Sequence, residues 1–189
     1  MGPRNAYIHL LGAHERRSLA FPPTLTTACG LSLTPENNLL VTCRDSHKLL
    51  ELCAESGQCV REVELLLSGI RRPWHAFQLA NQNYVVAHDD DTLSRVSAVD
   101  AGGKALFVYG DQHGSDITKF TYPCHLTVDK ENFMFVADRN SRRVMLLTPG
   151  LEFVRHIEFN EKPWRLYLDC RTRRLYIGDT DGDVIVLQV

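Results

Sequence analysis

The feature that most constrains this fold is a short unit of apolar segments that recurs four times. Its clearest copy, residues 121–159, contains four such segments at 125–129, 133–138, 143–148 and 153–159. Each segment is rich in β-branched, aromatic or other apolar residues, and turn residues such as Pro149 and Gly150 separate them. The unit is therefore predicted to form four short antiparallel strands.

The other copies align with this one on their first two strands. First strands are predicted at 30–35, 75–80, 125–130 and 165–170, and second strands at 38–43, 83–88, 133–138 and 174–179. The first strands start 45, 50 and 40 residues apart, because they begin at Gly30, His75, His125 and Arg165. A period of about 40–50 residues is typical of a β-propeller blade. We therefore predict an all-β single domain over residues 1–189, with units at about 21–70, 71–120, 121–161 and 162–189.

The two ends of the chain suggest how the propeller closes. The fourth unit has only three predicted strands, and residues 6–11 form an extra strand candidate before the first unit. Propellers remove exposed sheet edges, so the N-terminal strand is expected to complete the last blade of a four-bladed ring. The alternative is that these four blades belong to a larger ring.

Composition indicates a folded protein without a strong preference for polyanions. The 189 residues include 21 basic and 23 acidic side chains, a net charge of −2, and no apolar run long enough to cross a membrane. The first residues lack the core of a secretory signal, so we expect a cytoplasmic protein with reduced cysteines. One alternative is a disulfide between Cys53 and Cys59, which flank a predicted turn.

The third unit resembles an NHL repeat. It contains Pro123, then residues 125–129 ending in Asp129, and then the Val136-Ala137-Asp138 triplet followed by Asn140 and paired arginines. His125 stands where the family usually has glycine, and the other three units match more loosely. The resemblance implies a β-propeller like those attached to tripartite-motif proteins, some of which bind RNA. Family members usually have six blades.

Antiparallel strand order predicts two sets of loops at one end of the propeller, where partner binding is expected. The resulting candidates for a partner-binding face are Arg71, Arg72, His75, Tyr122, His125, Arg139, Arg142, Arg143 and Arg165. Acidic residues at 89–91 and at 179, 181 and 183 share this end, so its mixed charge favours a protein or peptide partner. Single-stranded RNA is the alternative, since arginine contacts phosphate and aromatic rings stack on bases. Trp74 and Trp164 are interpreted mainly as packing residues between blades.

Catalysis and metal binding are the weaker alternatives. His75 and His125 occupy one register of the repeat, and His88, Asp138 and Asp179 another, so both sets offer possible zinc or calcium ligands. The NHL resemblance adds one precedent, because the peptidyl-amidating lyases carry a metal. Neither a GxSxG motif nor a cysteine–histidine signature occurs. We therefore expect a non-catalytic binding scaffold without a cofactor or metal.

Overall fold

The computed structural model describes residues 7–11, 16–20, 27–90, 92–110 and 118–189, with side chains described from residue 27 onward. These residues form short antiparallel sheets and two single 3₁₀ turns, Leu66–Ser68 and Arg139–Ser141, without an α-helix. Four of the sheets follow one another along the chain as the blades of a β-propeller. The prediction of an all-β propeller with four blades is thus confirmed.

Each blade runs in chain order from its inner to its outer strand. Blade 1 contains β3 (Ala28–Leu33), β4 (Leu39–Cys43), β5 (Lys48–Leu52) and β6 (Cys59–Glu64). Blade 2 contains β7 (Pro73–Gln78), β8 (Tyr84–Asp90), β9 (Leu93–Val99) and β10 (Ala105–Tyr109). Blade 3 contains β11 (Pro123–Val128), β12 (Met134–Asp138), β13 (Arg143–Leu147) and β14 (Phe153–Glu158). Blade 4 has three strands, β15 (Pro163–Asp169), β16 (Arg174–Asp179) and β17 (Val184–Gln188).

The N-terminal strand forms a separate hairpin. Strand β1 (Tyr7–Leu11) pairs with β2 (Arg16–Ala20) in register from Tyr7 with Ala20 to Leu11 with Arg16. The prediction that this strand completes the last blade is therefore wrong. A hairpin closes a loop of only a few residues, whereas pairing with β17 would close one that includes most of the chain. The local pairing costs less chain entropy.

The hydrophobic core lies between consecutive blades. Blades 1 and 2 enclose one cluster that includes Leu40, Leu49 and Tyr84. Blades 2 and 3 enclose a larger one around Val96, Leu126 and Met145, and blades 3 and 4 a third. Alternating side chains of β12 serve two interfaces in turn, because Met134 and Val136 belong to the cluster between blades 2 and 3 and Phe135 and Ala137 to the cluster between blades 3 and 4. This is the period-2 pattern from which the sequence predicts the strand.

All four inner strands begin with the same irregularity. The register shifts between Ala28 and Gly30 in β3, and equivalent shifts occur at the starts of β7, β11 and β15. A bulge of this kind re-aims the side chain of the extra residue and bends the strand. The extra residues are Cys29, Trp74, Cys124 and Trp164.

Gly30 is expected to tolerate no side chain, because blade 2 approaches it closely. A Cβ at Gly30 would lie 2.6 Å from the carbonyl oxygen of Trp74 and 3.0 Å from the Cα of His75, both backbone atoms. Gly30→Ala should therefore lower the free energy of unfolding by about 1–3 kcal/mol, the usual cost of overpacking. Chemical denaturation measures this. Gly178→Ala is the matched control, since its nearest neighbour would lie 3.9 Å away. Equal stabilities of the two variants would contradict the close approach.

All six cysteines lie among the residues that the structure describes. All six cysteines carry free thiols, so Cys53 and Cys59 do not form the alternative disulfide. No helix among the described residues is long and apolar enough to cross a bilayer.

Candidate partner-binding site

The candidate site lies at the loop face, which we define as the end where the inner strands begin and the second strands end. Here the rings of Trp74, Tyr122 and Trp164 come together. The centroid of Trp74 lies 5.1 Å from that of Tyr122 and 6.5 Å from that of Trp164, in tilted and edge-to-face arrangements. These geometries are favourable for aromatic pairs. Residues from blades 2 and 4 and from the loop entering blade 3 are thus joined in one half-buried group.

Three arginines lie over these rings. The guanidinium carbon of Arg44 is 4.2 Å from the centroid of Trp74, and that of Arg165 is 4.4 Å from the centroid of Trp164. Arg139 lies 5.2 Å from the ring of Trp164 and 5.8 Å from that of Tyr122. Such cation–π contacts fix the orientation of an arginine while leaving much of its charge available. We call these six residues, Arg44, Trp74, Tyr122, Arg139, Trp164 and Arg165, the aromatic–arginine cluster.

Several donors of this cluster lack a described hydrogen-bond partner within the protein. They are the buried Nε atoms of Arg44 and Arg139 and the indole nitrogen of Trp74. Buried polar groups are normally satisfied, so donors of this kind point to water or a ligand as the missing partner. All three donate only, which suits an acceptor-rich group such as a carboxylate.

The positive charges of the arginines affect the pKa values of two buried cysteines beneath the cluster. Burial raises the pKa of the Cys29 thiol to about 11, while the charges of Arg44 and Arg165 act in the opposite direction. Burial also raises the pKa of Cys124 to about 12, against the charges of Arg165 and Arg139. The two thiols therefore stay protonated, and the three guanidinium groups create an overlapping positive potential at this end of the propeller.

Two cysteines beneath the cluster link blade 1 to blade 2 and blade 3 to blade 4. The thiol of Cys29 contacts the carbonyl oxygens of Pro73 and Trp74 at 3.1 and 3.3 Å. The thiol of Cys124 contacts those of Pro163 and Trp164 at 3.8 and 3.6 Å. A small residue in blades 1 and 3 thus supports a tryptophan in blades 2 and 4. The interpretation of the tryptophans as packing residues is consistent with these contacts, and their other surfaces hold the arginines.

A buried ion pair fixes the loop that carries Tyr122. One carboxylate oxygen of Asp138 accepts the N–H groups of Thr121 and Tyr122 at 2.9 and 2.8 Å. The other oxygen pairs with Nε of Arg143 at 3.1 Å, and Arg143 also donates to the carbonyl oxygen of Lys119. The Asp138 and Arg143 side chains are 0% and 5% exposed. Arg143 was predicted on the partner-binding face, and the structure instead makes it a buried positioning residue.

His75 is also buried, and it stacks on His125. The two rings are 3.7 Å apart, and Nε2 of His75 donates to the carbonyl oxygen of Leu31, which places its proton on that nitrogen. Nδ1 of His125 accepts the N–H of Leu166, so its proton lies on Nε2. Burial lowers the pKa of His75 to about 4 and, with the neighbouring His75, that of His125 to about 2. Because His75 is only 2% exposed, its predicted role on a partner-binding face does not fit the structure.

The remaining predicted site residues spread along the rim of the loop face. Arg71 is exposed, and Arg72 has a positive φ of 43° with its N–H donating to Nδ1 of His47. Arg142 is exposed, and one of its nitrogens donates to the carbonyl oxygen of Asn160 at 2.6 Å. The structure thus brings together Tyr122, Arg139 and Arg165 of the predicted set and leaves Arg71, Arg72 and Arg142 outside the cluster.

Three cluster members were not among the predicted site residues, namely Arg44, Trp74 and Trp164. The sequence does contain a pattern that points to these three residues, because residue types alternate between successive units. Cysteine and tryptophan take turns at the bulge position, and an arginine follows the second strand in units 1 and 3 only, at Arg44 and Arg139. Alignment of all four units to one consensus obscures this two-unit pattern.

The possible metal ligands do not assemble among the described residues. His88 is buried with Nε2 2.8 Å from the hydroxyl of Ser97, Asp138 is paired with Arg143, and Asp179 accepts three N–H groups of its own turn. No group of three histidine, cysteine or acidic side chains there is arranged to hold a metal ion.

Comparisons with known proteins support the fold. No protein-family model matches the sequence, and a comparison with curated proteins gives no match. Among solved structures, hydrazine synthase of Kuenenia stuttgartiensis is similar with a TM-score of 0.66 and 14% identity, over 95% of this chain and 49% of that chain. The β-propeller domain of Cps50 (Swd1) from Myceliophteria thermophila gives 0.66 and 14%, over 92% and 55%. The chain is a β-propeller.

A third similar structure, like hydrazine synthase, is an enzyme by name. Virginiamycin B lyase from Staphylococcus aureus has a TM-score of 0.62 and 10% identity, over 97% of this chain and 63% of that chain. The chain therefore spans between 49% and 63% of the lengths of these three proteins. At such low identities the likeness concerns the fold alone, because one fold hosts many functions.

Proposed function

We propose that this propeller is a non-catalytic cytoplasmic scaffold of the NHL type that binds an acidic segment of a partner protein at its loop face. The observation that carries the proposal is the stacking of Arg44, Arg139 and Arg165 over three aromatic rings. Stacking holds each guanidinium in place before binding, so little side-chain entropy is lost when a carboxylate arrives.

The arrangement supports a ligand with two nearby carboxylates. Arg44 on Trp74 and Arg139 on Trp164 form two similar niches, and the centroids of the two indole rings lie 6.5 Å apart. Each niche has an unpartnered Nε donor, and charge-assisted hydrogen bonds to carboxylates are the stronger kind. A peptide with two closely spaced aspartates or glutamates would satisfy both.

The same cluster is less suited to single-stranded RNA, the alternative partner. Bases bind by stacking on free ring faces, whereas Trp74 and Trp164 already carry arginines and contact other rings. Asp89 and Asp90 are the last two residues of β8, at the same end, and add negative charge that opposes phosphate. RNA is therefore tested in parallel as the alternative ligand.

Arg44→Ala and Arg139→Ala are each expected to weaken binding of an acidic peptide by at least about tenfold, since a hydrogen bond to a charged group contributes about 1.5–3 kcal/mol. The probes are fluorescein-labelled decapeptides with two glutamates at varied spacing in a Gly-Ser background, measured by fluorescence polarisation. Affinity should also fall as salt rises. Arg44→Lys separates the contribution of the positive charge from that of the planar stacked guanidinium, because lysine keeps the charge and cannot stack on Trp74 in the same way.

Arg171→Ala is the matched control, because Arg171 is exposed in the turn between β15 and β16 at the opposite end. It should leave peptide affinity unchanged. Labelled oligouridine of ten nucleotides is tested in parallel. Arginine-dependent retention of the RNA without binding of any acidic peptide would overturn the proposal in favour of RNA. If Arg171→Ala weakened peptide binding as much as Arg44→Ala, the loss would reflect only the net charge of the protein, and the proposed site would be contradicted.

A further inference from the structure

The three arginines of the aromatic–arginine cluster have no carboxylate partner among the described residues. Arg44 follows β4, Arg139 begins the 3₁₀ turn after β12, and Arg165 lies on β15, so three different blades supply them. No ion pair within the described part of the chain includes any of the three. Arg165 is exposed, and its Nη1 donates to the carbonyl oxygen of Trp164 at 3.0 Å. The positive charge of these side chains is therefore available to a ligand.

Ring contacts hold the three arginines over one aromatic surface. Arg139 and Arg165 both lie against Trp164, with their guanidinium carbons 5.2 and 4.4 Å from its centroid. The ring of Trp74, which carries Arg44 at 4.2 Å, has its centroid 6.5 Å from that of Trp164. Stacking of this kind limits how far each guanidinium can withdraw from its neighbours.

Electrostatic effects on buried groups indicate that the three charges converge. Burial raises the pKa of the Tyr122 hydroxyl, and the charges of Arg44 and Arg139 both oppose this rise. The two thiols beneath the cluster each respond to Arg165 and to one of the other two arginines. Each pair of arginines thus acts on one shared group, as expected for three charges arranged around a common centre.

Two nearby carboxylates leave this centre positive. Asp45 is exposed and directly follows Arg44 in the chain. Asp89 accepts a hydrogen bond from the hydroxyl of Ser94 at 3.1 Å. Neither carboxylate forms an ion pair with the three arginines within the described residues. Three cations and two unpaired anions leave an excess of positive charge, and the cations are the groups that stacking holds in place.

A phosphorylated side chain matches this centre better than a single carboxylate does. A phosphomonoester carries a charge of about −1.5 to −2 at pH 7 and has three acceptor oxygens, so it can accept from all three guanidinium groups. A carboxylate carries one charge on two oxygens and leaves one arginine without a partner. Because Trp74 and Trp164 already carry arginines and contact other rings, a short phosphorylated side chain is favoured over the ring of a phosphotyrosine.

Building on the proposed function, we propose that the acidic segment bound at the loop face carries a phosphoserine or phosphothreonine, whose phosphate lies between Arg44, Arg139 and Arg165. The phosphate accepts charge-assisted hydrogen bonds from the three guanidinium groups. Phosphorylation of the partner thereby switches binding on, because the unmodified hydroxyl offers the arginines no negative charge.

The probes are fluorescein-labelled decapeptides in a Gly-Ser background that differ in one central residue, which is phosphoserine, glutamate or serine. Fluorescence polarisation with the whole chain should show the phosphoserine peptide binding at least about tenfold more tightly than the glutamate peptide. The serine peptide should not bind. Because the whole chain is used, a segment of the protein that covered the arginines would block the phosphoserine peptide and overturn the proposal.

Dependence of a single phosphate on all three arginines distinguishes a shared centre from separate niches. Arg44→Ala, Arg139→Ala and Arg165→Ala should each weaken binding of the phosphoserine peptide by at least about tenfold. Arg165→Gln should do the same, since its amide can still donate to the carbonyl oxygen of Trp164 but carries no charge. Arg171→Ala is again the matched control and should leave the affinity unchanged. Unchanged affinity in Arg165→Ala and Arg165→Gln would overturn the shared centre.

Tryptophan fluorescence locates the bound phosphate. The chain has two tryptophans, Trp74 and Trp164, and both belong to the cluster. An unlabelled phosphoserine peptide contains no aromatic residue, so its binding should change the intrinsic fluorescence of the protein with the same midpoint as the polarisation curve. Saturable binding without any change in tryptophan emission would place the phosphate elsewhere and overturn the proposal.

The remaining outcomes separate the phosphate assignment from the proposed function. Equal affinities for the phosphoserine and glutamate peptides, both reduced in Arg44→Ala, would overturn the phosphate assignment and leave the binding of acidic segments intact. Absence of binding for the phosphoserine peptide and for every two-glutamate peptide would overturn both. Labelled oligouridine that binds more tightly than the phosphoserine peptide, and loses affinity in Arg165→Ala, would assign the three arginines to nucleic acid and overturn the phosphopeptide assignment.

Discussion

Asp138→Ala is expected to lower the free energy of unfolding by about 3–5 kcal/mol, because it removes the carboxylate that pairs with the buried guanidinium of Arg143. The variant also loses the acceptor for the N–H groups of Thr121 and Tyr122. Domains typically have a total stability of about 5–15 kcal/mol, so this loss would be a large fraction of the total. Urea denaturation followed by circular dichroism measures the loss.

The double variant Asp138→Leu with Arg143→Leu separates charge burial from packing. Removal of both charges should recover a large part of the loss, since a buried pair replaced by apolar residues is often close to neutral. Asp169→Ala is the matched single-site control. Asp169 has a similar turn role but is only partly buried and is not paired with a buried arginine, with Oδ1 accepting the N–H groups of Arg171 and Thr172, so its replacement should cost less. A loss in Asp138→Ala no larger than in Asp169→Ala would refute the buried-pair argument.

The stability of the protein is expected to fall steeply as pH decreases from 6.5 to 5. Burial lowers the pKa of His75 and His88 to about 4 and that of His125 to about 2, from an ordinary value of 6.5. In this window the unfolded chain binds protons at these histidines and the folded protein does not. Stability is therefore complete above pH 6.5 and is lost as pH falls. Each histidine contributes a slope of about 0.7 kcal/mol per pH unit at pH 6.5, which rises toward about 1.4 kcal/mol per pH unit near pH 5.

Denaturation midpoints at intervals between pH 7.5 and 5 test this dependence. Most carboxylates titrate below this window, so the slope reports mainly on histidines. His88→Gln should remove about a third of the slope, since three buried histidines contribute and glutamine can keep a hydrogen bond to Ser97. A slope that is unchanged in His88→Gln, or a stability that is flat across the window, would show that these imidazoles gain protons in the folded protein.

The strand content could be predicted because it depends on local patterning. Alternation along 134–137 fixes the two faces of β12, with Met134 and Val136 on one and Phe135 and Ala137 on the other. Dipeptides such as Pro149-Gly150 fix the turns. The position of the N-terminal strand could not be predicted in the same way. Its apolar pattern suits any open sheet edge. Whether β1 pairs with β2 or with β17 depends on loop entropy and on contacts that no local pattern encodes.

The candidate site was predicted only in part, because residue type does not determine burial. Arg139 and Arg143 are both arginines after the same strand, yet one lies over the rings of Tyr122 and Trp164 and the other is buried against Asp138. Their separation results from the positive φ of Arg142, 51°, which ends the 3₁₀ turn and sends the chain into β13. A left-handed non-glycine residue of this kind is set by tertiary contacts as much as by sequence.

The alternation of Cys29, Trp74, Cys124 and Trp164 has a consequence for how such a protein can change in size. Arg44 and Arg139 follow the same alternation, so the repeating unit of the loop face is a pair of blades. Insertion or deletion of a single blade would place tryptophan beside tryptophan or cysteine beside cysteine, which creates a clash or a void. Duplication or loss of two blades preserves every neighbour. Lengthening this scaffold by engineering should therefore succeed in even steps and fail in odd ones.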